Sequence, residues 1–291
     1  MSLPPLDIPN LLQRYGLRPD KSLGQNFLID SNSLLRVVEA AQVTPESDVL
    51  EIGAGLGSLT RLLAERARRV VAVELDDRLL PALQEVLASY PNVTIVAGDI
   101  LALDPARLMR PEELTGQNSL PYLVAANIPY YISSAVIRHL LEAAVQPERM
   151  TLTVQREVAE RICATPGDMS LLALSVQIYG APKIVARIPA GAFFPAPQVD
   201  SSVVRIDLFP EPLIPTRLLP GFFRLAKAGF SQKRKNLRNT LSGGMRWSTS
   251  QSEQILKSAN IDPRRRAETL SLEEWRRLVA LLPPDQKDPT R

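Results

Sequence analysis

Residues 48–57, DVLEIGAGLG, decide the fold, because an apolar run of strand length ends in closely spaced glycines and passes into a segment of helical period, residues 58–67. Other apolar runs follow, separated by helical segments: RVVAVELD (69–76), VTIVAGD (93–99), YLVAANIP (122–129) and RMTLTVQ (149–155). Strands that are apolar on both faces and alternate with helices predict a doubly wound, mostly parallel sheet of the α/β class. KIVARIP (183–189) and SSVVRIDLF (201–209) predict a late hairpin that closes this sheet.

A proline-rich passage separates the sheet from a second region. Eight of the 25 prolines fall within residues 182–220, which is too many for continuous helix. Only helical patterns follow, and Ser271 with Glu274 predicts a capping box at the start of the last helix. We therefore predict a sheet domain over residues 1–215 and a small all-helical domain over residues 216–291.

Charge is divided unequally between these regions. The whole chain has a net charge of +3, but residues 221–291 carry 15 basic and 7 acidic side chains, whereas residues 1–220 carry 19 and 24. A basic C-terminal quarter indicates a polyanionic partner such as a nucleic acid, with a merely solvated basic face as the alternative.

Composition excludes several classes of protein. The 291 residues contain no run of about 18 apolar residues, so we expect no membrane helix, and the start of the chain does not resemble a secretory signal. The single cysteine, Cys163, is typical of a reducing compartment and excludes an internal disulfide or a cysteine-rich zinc site. We expect a cytoplasmic protein without a metal centre.

The glycine turn and two acidic residues predict a nucleotide-type cofactor site. Gly53 and Gly55 let the backbone approach a ligand, Glu74 follows Gly53 by 21 positions where a carboxylate accepts from ribose hydroxyls, and Asp99 ends the next strand. Asp99 could accept from an adenine amino group or from a backbone amide, and either acid alone could be a helix N-cap. A nicotinamide dehydrogenase is disfavoured, because Ser58 replaces the third glycine of the dinucleotide fingerprint.

The fourth strand ends in Asn127-Ile128-Pro129-Tyr130-Tyr131. An asparagine amide and a carbonyl at a proline-stiffened turn can accept two N–H bonds from an exocyclic amine, and a tyrosine ring can stack on the base. Taken alone, the same residues could form an ordinary β-turn. The sole histidine, His139, is interpreted as a surface or packing residue.

Seven motifs occur in an order that resembles the ribosomal RNA adenine N6-dimethyltransferases, most closely the KsgA type that acts on the small subunit. They are LGQNFL (23–28), EIGAGLG (51–57), VVAVELD (70–76), GD (98–99), NIPYY (127–131), FFPAPQVDSSVV (193–204) and FSQKRKNLRNTL (230–241). The resemblance covers about residues 15–281. It implies a Rossmann-like class I methyltransferase fold with a seven-stranded sheet, and S-adenosyl-L-methionine as cofactor.

Site residues follow from the resemblance motif by motif. The implied cofactor-binding residues are Asn26, Leu28, Gly53, Gly55, Glu74, Asp99 and Asn127. The implied catalytic and base-holding residues are Asn127, Ile128, Pro129, Tyr130 and Phe193, with Phe194 as a second ring that could stack in place of Phe193.

The basic C-terminal region is expected to contact RNA phosphates. The candidate residues are Lys233, Arg234, Lys235 and Arg238, predicted to lie in one helical stretch, and Arg264, Arg265 and Arg266. By resemblance the partner is small-subunit rRNA or an immature 30S particle, and the protein is a monomer. The alternatives are a large-subunit methyltransferase of the macrolide-resistance type and a mainly non-catalytic ribosome-assembly factor.

Overall fold

A computed structural model of the chain describes residues 3–109 and 121–282, which fold into two compact units. The first comprises Met1–Ala159 and Pro182–Leu208, and the second comprises Glu160–Ala181 and Phe209–Arg291. This division differs from the expected boundary after residue 215, because residues 160–181 bond to the C-terminal helices, for example from the Gly167 amide to the Glu268 carbonyl (2.9 Å). In the described ranges, no helix has the length and hydropathy needed to cross a membrane.

Short strands alternate with helices along the first unit. The strands of the described residues are β1 (Phe27–Leu28), β2 (Asp48–Ile52), β3 (Arg69–Glu74), β4 (Val93–Ala97), β5 (Tyr122–Asn127), β6 (Arg149–Gln155), β7 (Gly180–Ile188), β8 (Phe193–Phe194) and β9 (Ser201–Leu208). The helices are α1 (Ile8–Arg14), α2 (Ser31–Ala41), α3 (Ser58–Ala64), α4 (Leu80–Leu87), α5 (Pro105–Met109), α6 (Ser133–Leu141), α7 (Arg156–Ile162), α8 (Leu171–Gln177), α9 (Leu219–Gly229), α10 (Leu237–Met245), α11 (Thr249–Ser258) and α12 (Leu272–Ala280).

The main sheet has the strand order β4-β3-β2-β5-β6-β9-β7. Strands β2 to β6 are parallel to one another, and β9 is antiparallel to β6, with Arg149 opposite Asp207. The prediction of a mostly parallel, seven-stranded α/β sheet is confirmed. Because the chain passes from β2 outward to β4 and then returns to β5 on the other side of β2, the loops after β2 and β5 diverge. In open α/β sheets this divergence creates the crevice where ligands bind.

Helices cover the sheet and bury its central strands. Val49 of β2 and Val70 of β3 share one apolar cluster with Val37 of α2 and Leu63 of α3, and all four side chains are fully buried. Burying a valine or leucine side chain contributes roughly 1.5–3 kcal/mol, so this packing holds the strand ends in place for the site. Asp30 caps α2 by accepting from the Ser33 amide at 2.8 Å.

The second unit is built around aromatic side chains of α9 and α12. Trp275 is fully buried, stacks on Phe230 with centroids 6.0 Å apart and meets Phe222 edge-on. The predicted capping box of α12 is confirmed, with Ser271 and Glu274 each bonded to the other's backbone amide.

Candidate active site

A cavity opens at the carboxyl edge of the sheet, where the loops after β2, β3, β4 and β5 face the N-terminal segment 23–27. It brings together most of the site residues expected from the sequence: Asn26, Gly53, Gly55, Glu74, Asp99, Asn127, Ile128, Pro129 and Tyr130. Residues from four strand ends and from a segment more than 20 positions upstream of β2 therefore form one site.

The turn between β2 and α3 requires glycine. Gly53 and Gly55 have φ angles of +75° and +60°, in the left-handed region that side chains disfavour. A Cβ atom on Gly55 would lie 3.1 Å from the ring of Phe27, and one on Gly53 would lie 3.4 Å from the Asn127 carbonyl oxygen. Bare backbone therefore faces both the N-terminal segment and the loop after β5.

Glu74, at the end of β3, ties the loops of the site together. Its Oε2 atom accepts from the Gly55 amide at 2.7 Å and its Oε1 atom accepts from the Asp76 amide at 2.9 Å. Burial raises the pKa of Glu74, while these two backbone donors act in the opposite direction. A carboxylate oxygen has two lone pairs, so an oxygen that accepts from one backbone amide can also accept from a ligand hydroxyl.

Asp99 follows β4, is exposed and lines the cavity. Its Oδ1 atom accepts from the Leu101 amide at 2.9 Å, which is the backbone contact that the sequence left open. A carboxylate has a second oxygen, so Asp99 can both shape the loop and accept from a ligand.

The N-terminal segment is fastened to the loop after β3 by a polar network that the sequence analysis missed. Gln25 donates to Asp76 at 2.8 Å, and Arg78 binds both Asp76 (2.7 Å) and Asp20 (2.9 Å). The Arg78 guanidinium lowers the pKa of Asp76. Gln25 lies within the LGQNFL motif, but its partner is 51 residues away, and no local pattern indicates that pairing.

Asn127 ends β5, and its side chain is held by the same segment. Its Nδ2 atom donates to the Asn26 carbonyl at 3.0 Å, and the Asn26 side chain in turn donates to the Gly24 carbonyl at 3.0 Å. Because the amide nitrogen is used in this way, Oδ1 is the atom of Asn127 that remains to accept from a ligand.

The aromatic residues expected to hold a base lie at different depths. Tyr130 lines the cavity, and its hydroxyl is 2.7 Å from that of Ser201, a partner that the sequence analysis missed. Phe193 is only 3% exposed and packs in the core with Leu28, so within the described residues neither side chain lines the cavity. Their contact with a ligand stays a prediction. Phe194 is half-buried and pairs with Phe27 across the short β1–β8 ladder.

The basic residues differ in their solvent exposure and in the ion pairs that they form. Lys233, Arg234 and Lys235 are exposed, but they lie in a turn and not in the expected helix, because Asn236 caps α10 by accepting from the Asn239 amide. Arg238 lies in α10 and pairs with Glu253. The remaining three arginines pair with acids of their own segment, Arg264 with Asp262, Arg265 with Glu274 and Arg266 with Glu268.

The guanidinium of Arg265 is already used in contacts within the fold, which argues against a direct phosphate contact. Its guanidinium binds Glu274 of the α12 capping box and the Thr269 carbonyl. Arg264, by contrast, keeps a side chain that is 86% exposed.

His139 and the acidic residues do not form a further centre. The His139 Nε2 atom lies 2.8 Å from the Leu103 carbonyl, in agreement with a packing role. Across residues 3–109 and 121–282, no three His, Cys, Asp or Glu side chains are grouped so that they could hold a metal ion.

The chain is similar to known proteins over nearly its whole length. The sequence model of the family described as "Ribosomal RNA adenine dimethylase" matches residues 16–278. A protein of Dehalococcoides mccartyi (strain CBDB1), "Ribosomal RNA small subunit methyltransferase A", is 46% identical over 273 residues, covering 92% of this chain and 90% of the relative. A protein of the same name from Moorella thermoacetica is 43% identical, with 91% and 93% covered.

Solved structures show the same likeness. The crystal structure of the 23S rRNA methyltransferase ErmE superimposes with a TM-score of 0.70 and 30% identity, covering 88% of this chain and 98% of that one. A dimethyladenosine transferase from Plasmodium falciparum superimposes with a TM-score of 0.72 at 23% identity, covering 87% and 95%, and supports the fold. The matched region includes residues of both compact units.

Proposed function

The chain belongs to the ribosomal RNA adenine dimethylase family, and from that premise we propose that it transfers methyl groups from S-adenosyl-L-methionine to N6 of two adjacent adenines in small-subunit (16S) rRNA. The adenines lie in a hairpin loop near the 3′ end, and the product is N6,N6-dimethyladenosine. The names of the two bacterial relatives support the small subunit. The proposed substrate is an immature 30S particle, on which the protein acts as a monomer in the cytoplasm and contributes to small-subunit biogenesis.

The orientation of the Asn127 side chain carries this proposal. The bond from Nδ2 to the Asn26 carbonyl directs Oδ1 to act as an acceptor, in the same cavity as Glu74 and Asp99. The exocyclic amine of adenine offers two N–H donors and no charge. An acceptor fixed beside the cofactor site is therefore the group that an adenine N6 substrate requires.

The residues of the cavity fit the cofactor. Ribose hydroxyls can donate to the free lone pairs of Glu74, and the adenine amino group can donate to Asp99. The bare backbone at Gly53 and Gly55 leaves room for the methionine moiety, where side chains would collide with Phe27 or crowd the loop after β5. When bound, S-adenosyl-L-methionine supplies an electrophilic methyl group on a sulfonium sulfur.

Asn127 and the neighbouring Ile128 carbonyl make the target amine reactive. The N6 lone pair of adenine is delocalised into the ring, so the amine is a poor nucleophile. The N6 amine donates two hydrogen bonds, one to Asn127 Oδ1 and one to the Ile128 carbonyl. These hydrogen bonds favour a pyramidal nitrogen with a localised lone pair. This chemistry needs no strong base, because N6 becomes acidic once methylated and then releases its proton. Correct orientation of the reacting groups can lower the activation free energy by about 7–11 kcal/mol.

A target base must leave its stack in the RNA to enter the cavity. Aromatic side chains of the protein can then stack on the two faces of the extruded base. Tyr130 is the proposed partner on one side, with its ring fixed by Ser201. On the other side, Phe193 of the family motif is proposed to stack on the base. Phe194 is the alternative. A Phe193→Leu variant is expected to raise KM for RNA at unchanged cofactor affinity, whereas an effect of Phe194→Leu alone would assign the contact to the second ring.

RNA phosphates are proposed to contact the exposed turn formed by Lys233, Arg234 and Lys235, together with Arg238 and Arg264. The turn carries three adjacent positive side chains on one short loop. The Leu237 amide donates to the Arg265 carbonyl at 2.8 Å, and the Arg238 amide donates to the Pro263 carbonyl. These bonds place the loop of Arg264 beside the start of α10, so the basic residues form one surface.

Site-specific methylation of ribosomal particles tests the proposal. Purified protein and methyl-labelled S-adenosyl-L-methionine are incubated with 30S and 50S particles from cells that lack the enzyme, and modified positions are mapped by primer extension. We expect label near the 3′ end of the small-subunit RNA, lost in Asn127→Ala and kept in Asn10→Ala, an exposed amide on α1. Label confined to 50S particles would favour the large-subunit alternative, which the likeness to ErmE supports.

The assembly alternative is tested separately in cells. If catalysis is the main contribution, the Asn127→Ala variant fails to restore normal small-subunit maturation to a strain without the enzyme. Full restoration by this inactive variant would show that binding to the particle, and not methylation, is the dominant role.

A further inference from the structure

Tyr131 is an aromatic residue exposed at the mouth of the site cavity. The residue is 59% exposed, the highest value among the large hydrophobic residues that the structure describes. It lines the cavity next to Tyr130, four positions after Asn127. The proposed chemistry uses Asn127, Ile128 and Tyr130 of this loop but leaves Tyr131 without a role.

The backbone that carries Tyr131 is held in a turn, and its ring lies beside Gly24 while it faces solvent. Residues 130–132 form a single 3₁₀ turn, closed by the bond from the Ile132 amide to the Pro129 carbonyl at 3.2 Å. One edge of the ring rests on Gly24, where an added Cβ would lie 3.3 Å from the ring. A ring that is fixed before binding loses little conformational entropy when another ring stacks on it.

Lys21 and Arg18 are exposed in the segment that leads to Gly24. The carboxylate of Asp20 pairs at 2.9 Å with Arg78, which also pairs with Asp76. Proteins bind single-stranded RNA with positive side chains, which contact its phosphates, and with exposed aromatic rings, which stack on its bases.

We propose that Tyr131 stacks on the nucleobase next to the target adenine. The inference rests on the proposed function, because it assumes that the target base is extruded into the cavity. Extrusion leaves one face of the neighbouring base without its stacking partner. A fixed aromatic ring at the mouth of the cavity replaces that partner, and so holds the strand open and in register while the target amine reaches Asn127.

Binding of a defined RNA tests the contact. The probe is a hairpin with two adjacent adenines in its loop, and a second version carries an abasic nucleotide beside the target. Tyr131→Ala is expected to weaken binding of the intact hairpin about fivefold or more, as the loss of one base–aromatic stack predicts. Tyr131→Phe is expected to restore binding, and cofactor affinity is expected to stay unchanged in both.

The abasic hairpin distinguishes stacking from a structural role. Wild-type protein is expected to bind it as weakly as Tyr131→Ala binds the intact hairpin, and the variant is expected to lose nothing further. Leu213→Ala, which removes another exposed apolar side chain outside the cavity lining, is the matched control. If removing the ring and removing the base each weakened binding, and the two losses of binding free energy added up, the proposal would be overturned.

A fluorescent base gives a direct measurement of the same contact. With 2-aminopurine beside the target, we expect wild-type protein to quench the fluorescence on binding, and Tyr131→Ala to leave it bright. Equal quenching by both proteins would refute stacking on Tyr131 while leaving the proposed function intact. If wild-type protein neither binds the hairpin nor methylates 30S particles, the proposed function fails and this inference fails with it.

Discussion

Glu51 provides the sharpest test of the electrostatics of the fold, because it is a carboxyl group buried beneath the site. It lies in β2 with 1% exposure, and among the described residues its Oε2 atom has no hydrogen-bond partner. Burial, with a smaller contribution from the Glu74 charge, raises the pKa of Glu51 from 4.5 to about 8. At neutral pH the folded protein therefore holds this carboxyl in its protonated form.

The pH dependence follows from the direction of this change. Below pH 4.5 the carboxyl is protonated in both the folded and the unfolded chain, so it has no effect on their balance. As the pH rises from 4.5 to about 8, the unfolded chain releases the proton while the folded chain keeps it, which lowers the free energy of unfolding. At 1.36 kcal/mol per pH unit, the loss is about 3 kcal/mol at pH 7 and about 5 kcal/mol above pH 8.

The Glu51→Gln variant removes this titration and leaves the other groups in place. The free energy of unfolding of the variant, measured relative to wild type, is expected to increase by about 3 kcal/mol between pH 4.5 and 7. Its value at low pH reflects only how the buried amide is accommodated, which has a typical cost of about 1–3 kcal/mol. The exposed Glu65→Gln variant is the control, with a difference expected to stay within about 0.5 kcal/mol.

The assay must report on the first unit. Both tryptophans, Trp247 and Trp275, lie in the second unit, so intrinsic fluorescence follows the wrong part of the chain. Hydrogen exchange of the β2 amides in wild type and variant, measured at several pH values between 5 and 8, reports the local free energy of opening directly. A difference between Glu51→Gln and wild type that stays constant over this range would refute a protonated Glu51.

Three further predictions concern packing, the cofactor turn and the RNA surface. Gly244→Ala is expected to destabilise the second unit by about 1–3 kcal/mol in thermal unfolding, because the added Cβ would lie 2.4 Å from the Cβ of Ala228. The adjacent Gly243→Ala is the control: nothing lies within 4 Å of its added Cβ, so it is expected to stabilise the unit by up to about 1 kcal/mol. Gly55→Ala is expected to weaken cofactor binding at least tenfold in calorimetry, while Gly191→Ala leaves it unchanged; equal affinities would show that the turn tolerates a side chain. Replacing residues 233–235 with glutamine is expected to weaken RNA binding and to reduce its salt slope by up to about 3, since up to three phosphate contacts are lost, without changing cofactor affinity. Unchanged RNA affinity would contradict the proposed surface, and the charge-matched control replaces the paired arginines Arg107, Arg138 and Arg276.

The sheet could be predicted from the sequence because parallel strands are buried on both faces. Strands β2, β3 and β5 are continuous apolar runs in the sequence. Nearly every residue in them is buried in the structure, as expected for strands covered on both faces. The acidic and amide residues that end these runs could be assigned to one edge of the sheet, since parallel strands present their carboxyl ends together. The sequence predicts Glu74 and Asn127 at this edge in this way, and both line the cavity.

Features set by single capping bonds or by short pairings could not be predicted in the same manner. The helical period of residues 230–241 continues through the turn at 231–235, but Asn236 accepts from the Asn239 amide and starts α10 only there. Strands β1 and β8 contain two residues each, too few for any periodicity. The burial of Phe193 depends on this ladder, so its depth was not visible in the motif that contains it.

The two halves of the site therefore depend on different kinds of information. Glu74 and the glycine turn are positioned by neighbouring parallel strands, β2 and β3, and form as soon as the sheet forms. The acceptor at Asn127 depends instead on Asn26, 101 residues earlier, whose carbonyl fixes which end of the amide faces the cavity. Asn26 lies between Gln25, bonded to the loop after β3, and Phe27, paired with Phe194. The loop that carries Glu74 and the acceptor for the target amine are thus joined by one short segment, so any movement of that segment alters both together.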